Sequence, residues 1–134
     1  MIRRYIPWLA AAALLAGCAP QESKPLFPRE IADMWDLKES LERPVSEAPE
    51  PVRRFGVRSV REAVYGGMGR IRVTVYEMNS DASGLELQQT WKPVADTVVF
   101  HRGRYFAVVK WDPGADRTGV TAFIREMEKR LGEE

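Results

Sequence analysis

Two residue types that often carry chemistry occur once each in the sequence, as Cys18 and His101. A single cysteine cannot form an internal disulfide, and with one histidine it cannot assemble a Cys/His zinc site. We therefore expect no metal site and no cofactor. His101 stands at a predicted strand end beside Arg102, which is more typical of an edge histidine than of a catalytic acid or base. Cys18 is the residue whose chemistry needs an explanation.

Cys18 ends a three-part N-terminal pattern. Residues 1–4 carry two positive charges, residues 5–14 are mostly apolar, and Leu15-Ala16-Gly17-Cys18 closes the stretch with small residues. This is the layout of an export signal. The last four residues resemble the lipobox of bacterial lipoproteins. The resemblance implies that the thiol receives a diacylglyceryl group, that residues 1–17 are removed as a signal peptide, and that the new amine is acylated.

This segment has three other possible interpretations. An uncleaved membrane helix is disfavoured because the apolar run from Tyr5 to Ala19 is about 15 residues and contains Pro7, whereas a span needs roughly 20. An ordinary secretory signal and a twin-arginine signal are the others. Ala19 after the cysteine favours the periplasmic side of the outer membrane. We predict a cell-envelope protein whose partner is the membrane, through acyl chains on Cys18.

Length and charge limit the remaining function classes. The chain has 134 residues, enough for one domain. Removal of residues 1–17 takes away Arg3 and Arg4 and changes the formal net charge from +1 to −1. A nearly neutral domain lacks the concentrated basic surface that phosphate neutralisation needs. Nucleic acid is therefore not an expected partner.

The segment after the cysteine predicts a tether. Residues 18–51 contain six prolines, which favour an extended spacer. Within it, apolar residues recur at near-helical spacing and predict a short amphipathic helix near residues 29–43. They are Ile31, Met34, Trp35, Leu37 and Leu41. Such a helix would dock on the domain, lie on a membrane surface or bind a partner.

Residues 52–134 predict an α+β domain. Two hairpins, at about residues 58–78 and 97–111, are each followed by a helix, near residues 79–91 and 120–131. The order β-β-α-β-β-α predicts a four-stranded antiparallel sheet with helices packed on one face. The second hairpin is apolar on both sides, so its other side needs a cover. The segment from Phe27 to Leu41, a second copy or a partner envelope protein would supply one.

Arginines gather on the first hairpin and its approach. Arg58, Arg70 and Arg72 are the candidate residues for binding an anionic envelope ligand, because guanidinium groups fork onto phosphate or carboxylate. The alternative is a solvated strand face that discourages edge pairing. Gly66-Gly67-Met68-Gly69 lies between two strands, which predicts a hairpin turn rather than a phosphate loop.

Several short segments resemble an uncharacterised family of bacterial secreted domains. They are Phe27-Pro28-Arg29-Glu30-Ile31 with Trp35, Phe55-Gly56-Val57, Val73-Thr74-Val75-Tyr76-Glu77-Met78, Ala82-Ser83-Gly84 and Gly103-Arg104-Tyr105-Phe106. The similarity spans about residues 26–130. The family has no assigned catalytic residues, so the resemblance implies no chemistry.

The sequence shows no pairing of a nucleophile with a base and no metal cluster, so no catalytic residue is predicted. We expect a non-catalytic binding or scaffolding domain on an envelope lipoprotein. The alternatives are a sensory or regulatory periplasmic ectodomain and a small hydrolase of envelope polymers.

Overall fold

The computed structural model describes residues 25–133. Within them the strands are β1 (Glu30–Ile31), β2 (Trp35–Arg43), β3 (Val57–Gly67), β4 (Arg70–Met78), β5 (Thr97–Arg102) and β6 (Tyr105–Trp111). The helices are α1 (Glu50–Phe55), α2 (Asp81–Thr90) and α3 (Arg117–Gly132), and Val45–Glu47 form a 3-10 turn. The two predicted hairpins and the helices after them form close to the expected positions.

The six strands make one antiparallel sheet in the order β1-β2-β3-β4-β6-β5. The prediction of a four-stranded sheet was therefore wrong. The sheet gains two strands, β1 and β2, from residues whose composition predicts a tether. The protein is still α+β, but it is mostly sheet, and the sheet is curled into a half-barrel.

The amphipathic helix predicted near residues 29–43 does not form. β1 and β2 occupy that segment, and β2 pairs with β3 from Trp35↔Gly67 to Arg43↔Val60. A bulge between Leu37 and Glu39 shifts the register of β2. An inserted residue breaks the alternation of period two that identifies a strand in a sequence. The bulge therefore explains why the pattern of this segment resembled that of a helix.

Helix α3 fills the concave side of the sheet. Its buried residues include Val120, Phe123, Met127 and Leu131, as the helical spacing predicts. They pack against β-strand residues such as Tyr65, Ile71, Val73, Val75 and Val109. Trp35 of β2 touches α3 from one side, and β5 at the opposite edge reaches it through Arg102. Since strands near both edges of the sheet contact the same helix, the sheet wraps around α3.

The convex side has its own cover, which corrects the prediction of helices on one face. Val52 of α1 and Leu87 of α2 are fully buried there with Phe106 of β6. Trp91, which follows α2, packs on Phe106 with ring centroids 5.2 Å apart. The second hairpin is apolar on both sides, as expected, because helices cover both. The cover is α1 and α2, rather than the segment from Phe27 to Leu41.

The two ends of the sheet differ in what they carry. At the Gly103 end, the β5–β6 turn lies beside the C-terminus of α3, where Arg102 pairs with Glu128 at 2.5 Å. At the Gly69 end, the β3–β4 turn meets the N-terminus of α3, and Asp116 donates its backbone N–H to Met68 O at 2.9 Å. We name the two ends after these glycines. Helix α3, of 16 residues, spans about 24 Å between them.

Candidate anion-binding site

The three arginines that were predicted from the sequence to bind an anion, Arg58, Arg70 and Arg72, do not lie together in the structure. Arg70 and Arg72 are exposed on the convex side of β4, near the Gly69 end. Arg58 lies on β3 next to the Val57↔Met78 pair, at the Gly103 end. Arg70 pairs with Gly66, eight residues along β3 from Arg58, which corresponds to about 26 Å of strand. Arg58 therefore does not belong to the same site.

A lysine that the sequence analysis missed joins the two arginines. Lys110 of β6 lies directly opposite Arg72 in the β4–β6 ladder. Asp112 donates its backbone N–H to Arg70 O at 3.1 Å, which holds the end of β6 beside Arg70. Arg70, Arg72, Lys110 and Asp112 line a depression of about 350 Å³. We call this depression the basic cleft.

A second missed lysine extends the positive surface. Lys38 lies in the bulge of β2, and its Cε is 2.9 Å from the position that a Cβ would take on Gly66. Gly66 is the β3 partner of Arg70. The missing side chain at Gly66 therefore gives room for the Lys38 stem to cross the convex side, next to the basic cleft. A larger residue at position 66 would displace Lys38.

Glu62 orients one of the arginines. Its side chain is 13% exposed. Oε2 accepts a hydrogen bond from Arg43 Nε at 3.1 Å, and Oε1 lies 3.4 Å from Arg72 Nη1. Burial raises the pKa of the neighbouring Tyr76 phenol, and the charge of Glu62 raises it further. Among residues 25–133, no carboxylate lies within 4 Å of the charged groups of Arg70 or Lys110. These two cations are therefore available to an anion.

The cleft is open because the helices end before it. Along β6, Phe106 and Val108 point to the convex side and pack with α2 residues and Trp91. Lys110 is the next residue on that side and is exposed. The convex face thus changes from an apolar, covered region to a charged, uncovered one within a single strand. Three cations and one carboxylate, Asp112, remain there in contact with solvent.

His101 has a structural partner. Its backbone N–H donates to Gln88 Oε1 at 3.0 Å, and its Nδ1 contacts the same oxygen. Because an amide oxygen only accepts hydrogen bonds, Nδ1 carries the proton. The ring is half-buried and holds α2 against β5. This arrangement fits the edge histidine that the sequence predicts.

Three findings concern metals, membranes and the predicted lipidation site. In the described part of the chain, no group of three His, Cys, Asp or Glu residues could hold a metal ion. No helix between residues 25 and 133 is long and apolar enough to cross a bilayer. Cys18 and residues 1–17 lie outside the described residues.

Comparison of the chain with protein-family models, with curated proteins and with solved structures found no match. The resemblance to secreted domains of unknown function stays a prediction.

Proposed function

We propose that the chain is a lipid-anchored protein of the bacterial cell envelope, whose folded domain binds an anionic ligand and does not transform it. One observation carries the binding part of this proposal. Arg70, Arg72 and Lys110 converge on the uncovered part of the sheet although they come from two strands. Lys38 adds a fourth positive charge from a third strand.

The chemistry of the basic cleft favours an oxyanion. Arginine presents a planar fork of donors that matches phosphate or carboxylate, and lysine adds a point charge. Each charge-assisted hydrogen bond contributes about 1.5–3 kcal/mol. Glu62 already orients Arg72, so that this side chain loses less freedom when a ligand arrives. Because the cleft is open to solvent, we expect added salt to weaken the binding.

The binding part is tested by titrating pyrophosphate into the protein by calorimetry. Arg70→Gln and Lys110→Gln are the informative variants, because neither removes the partner of Glu62. Each should weaken binding at least about tenfold, the equivalent of one lost charged hydrogen bond. Arg58→Gln is the matched control and should bind as the parent does. Equal losses in all three variants would show that binding follows net charge rather than the cleft.

The anchoring part is supported by Leu15-Ala16-Gly17-Cys18 and the basic and apolar stretch before it. We propose the periplasmic side of the outer membrane as the location. Cells that express the chain should incorporate labelled palmitate into it. Cys18→Ser should abolish the labelling and leave an unprocessed precursor of higher mass. Normal labelling of that variant would refute the anchor.

A further inference from the structure

A groove lies between α1 and the loop that follows α2, outside the apolar layer that covers the convex side. Its lining residues are Pro51, Arg54, Thr90, Trp91, Lys92 and Val94, and it shares none of them with the basic cleft. Its volume is about 500 Å³. Ligand sites in proteins typically measure about 300–1,000 Å³. We call this feature the apolar groove, and its size fits one small molecule.

Both walls of the apolar groove are held by contacts beneath them. Val52 of α1 is fully buried in the convex cluster. Trp91 packs on Phe106 of β6. The loop is fixed again at its far end, where Trp111 donates its backbone N–H to Asp96 O at 3.0 Å. The groove therefore exists before a ligand binds, which lowers the entropy that binding costs.

The apolar residues of the groove are open to water. Val94 is 60% exposed, more than any other large hydrophobic residue in the described part of the chain, and Trp91 is only partly buried. A single exposed apolar side chain is ordinary in a soluble protein. Here Pro51, Trp91 and Val94 line one concave space. An apolar ligand in that space would remove their surfaces from water together.

The charged residues of the groove restrict which apolar ligand fits. Arg54 and Lys92 line it, and no Asp or Glu within residues 25–133 does. No carboxylate in that range lies within 4 Å of the Lys92 ammonium. Arg54 pairs with Glu50 at 3.8 Å, but both side chains are 64% exposed, so the pair is weak. The groove therefore complements an apolar body that ends in an anion.

We propose that the apolar groove binds a single fatty acid, with its acyl chain against Trp91 and Val94 and its carboxylate near Arg54 and Lys92. Because Arg54 is shared with Glu50, one negative charge on the ligand suffices. The groove is larger than one aromatic ring, and a flexible acyl chain can follow its walls. A bilayer surface is flat and does not fill a concave space. The proposal depends neither on the basic cleft nor on the lipid anchor.

Calorimetry with dodecanoate, below its micelle concentration, tests the proposal. The protein is the chain from residue 18 onward with Cys18→Ser, which carries no acyl chain of its own. Each buried CH₂ group corresponds to about a fourfold change in the dissociation constant. Octanoate should therefore bind at least about tenfold more weakly than dodecanoate. Equal affinities for the two acids, or no binding of dodecanoate, would overturn the proposal.

Paired variants locate the binding. Val94→Asp puts a negative charge in the groove and should weaken dodecanoate binding at least about tenfold. Leu85→Asp is its control, because Leu85 is 43% exposed on α2 and does not line the groove. Arg54→Gln should also weaken binding, whereas Arg53→Gln, an exposed neighbour outside the groove, should not. Equal losses in a variant and its control would overturn the site.

Two further measurements separate a bound fatty acid from other occupants. Dodecanoate that carries bromine on its chain quenches a tryptophan that it contacts. Trp91→Phe keeps a ring on Phe106, so it should abolish most of the quenching while calorimetric binding persists; undiminished quenching would place the chain elsewhere. Vesicles of phosphatidylcholine and phosphatidylglycerol test for a membrane contact. Vesicle binding that is lost in Val94→Asp, without any binding of dodecanoate, would refute the proposal in favour of a bilayer.

Discussion

Trp35 is the side chain whose removal tests most sharply whether residues 30–43 belong to the sheet. It is 1% exposed, and its indole N–H donates to Gly119 O at 2.9 Å. Its ring meets Phe123 edge-on, with centroids 6.1 Å apart. Trp35→Ala removes these contacts and leaves a cavity between β2 and α3. Replacing a buried tryptophan by alanine costs about 3–5 kcal/mol.

That cost is large for a domain of this size, whose total stability is typically about 5–15 kcal/mol. Since 1 kcal/mol moves the melting temperature of a domain of this length by about 4 °C or more, we expect Trp35→Ala to lower it by more than 12 °C. Thermal and urea unfolding, followed by circular dichroism, measure the loss. Met34→Ala is the matched control, because Met34 precedes Trp35 in the chain but is 39% exposed. If both variants lost the same small amount, β2 would not be docked as described.

Three further changes probe the turns and the core. Asp33 is exposed and has a φ of 53°, a left-handed conformation that glycine adopts more easily than aspartate. Asp33→Gly should therefore raise the free energy of unfolding by about 0.5–1 kcal/mol in urea titrations. A decrease would contradict this expectation. Gly69 has a φ of 130°, and a Cβ there would lie 2.7 Å from Ala115. Gly69→Ala should therefore lower the free energy of unfolding by more than about 1 kcal/mol. An unchanged midpoint of urea unfolding would argue against this turn. Burial raises the pKa of Tyr65 above its ordinary value of 10.0, and its OH donates to Pro28 O at 2.7 Å. The stabilisation linked to this shift is complete below pH 10 and is lost as the pH rises above it. Tyr65→Phe should lower stability by about 1 kcal/mol at pH 8 and make the decline between pH 8 and pH 11 shallower; an identical decline would refute the assignment.

The elements that the sequence predicted well are those in which one periodicity runs uninterrupted. In β4, Ile71, Val73 and Val75 alternate with outward residues, and all three are buried. The helical spacing of α3 likewise identified its buried face. Such patterns are set by local geometry and by burial on one side, so a single sequence reveals them.

The missed elements depend on pairing between distant residues. β2 is an irregular strand that pairs along its length with β3, and its bulge hides the alternation. Pairing with β3 decided the conformation of β2, against the weak helical pattern of its sequence. α1 has only six residues and begins in a proline-rich stretch, so its composition resembled that of a tether. The apolar second side of β6 did indicate a cover, but periodicity carries no information about which segment supplies it.

The same distinction holds for the basic cleft. Arg70 and Arg72 are neighbours on one strand, so their common face was predictable. Lys110 joins them only through the β4–β6 register, and Lys38 only through a bulge over Gly66. One signal was present in the sequence: Lys110 is a lone charge between Val109 and Trp111 in an otherwise apolar strand. A lysine in that setting indicates that the cover of the strand ends there.

The measurement that tests the binding claim most directly is a titration of the isotope-labelled protein with pyrophosphate, followed through its backbone amide resonances. We expect the largest shifts at Arg70, Arg72 and Lys110 and at their strand neighbours. We expect little change at Arg58, about 26 Å away along β3. No shifts at millimolar pyrophosphate, or shifts centred on the Gly103 end, would contradict the proposal that this cleft is the anion-binding site.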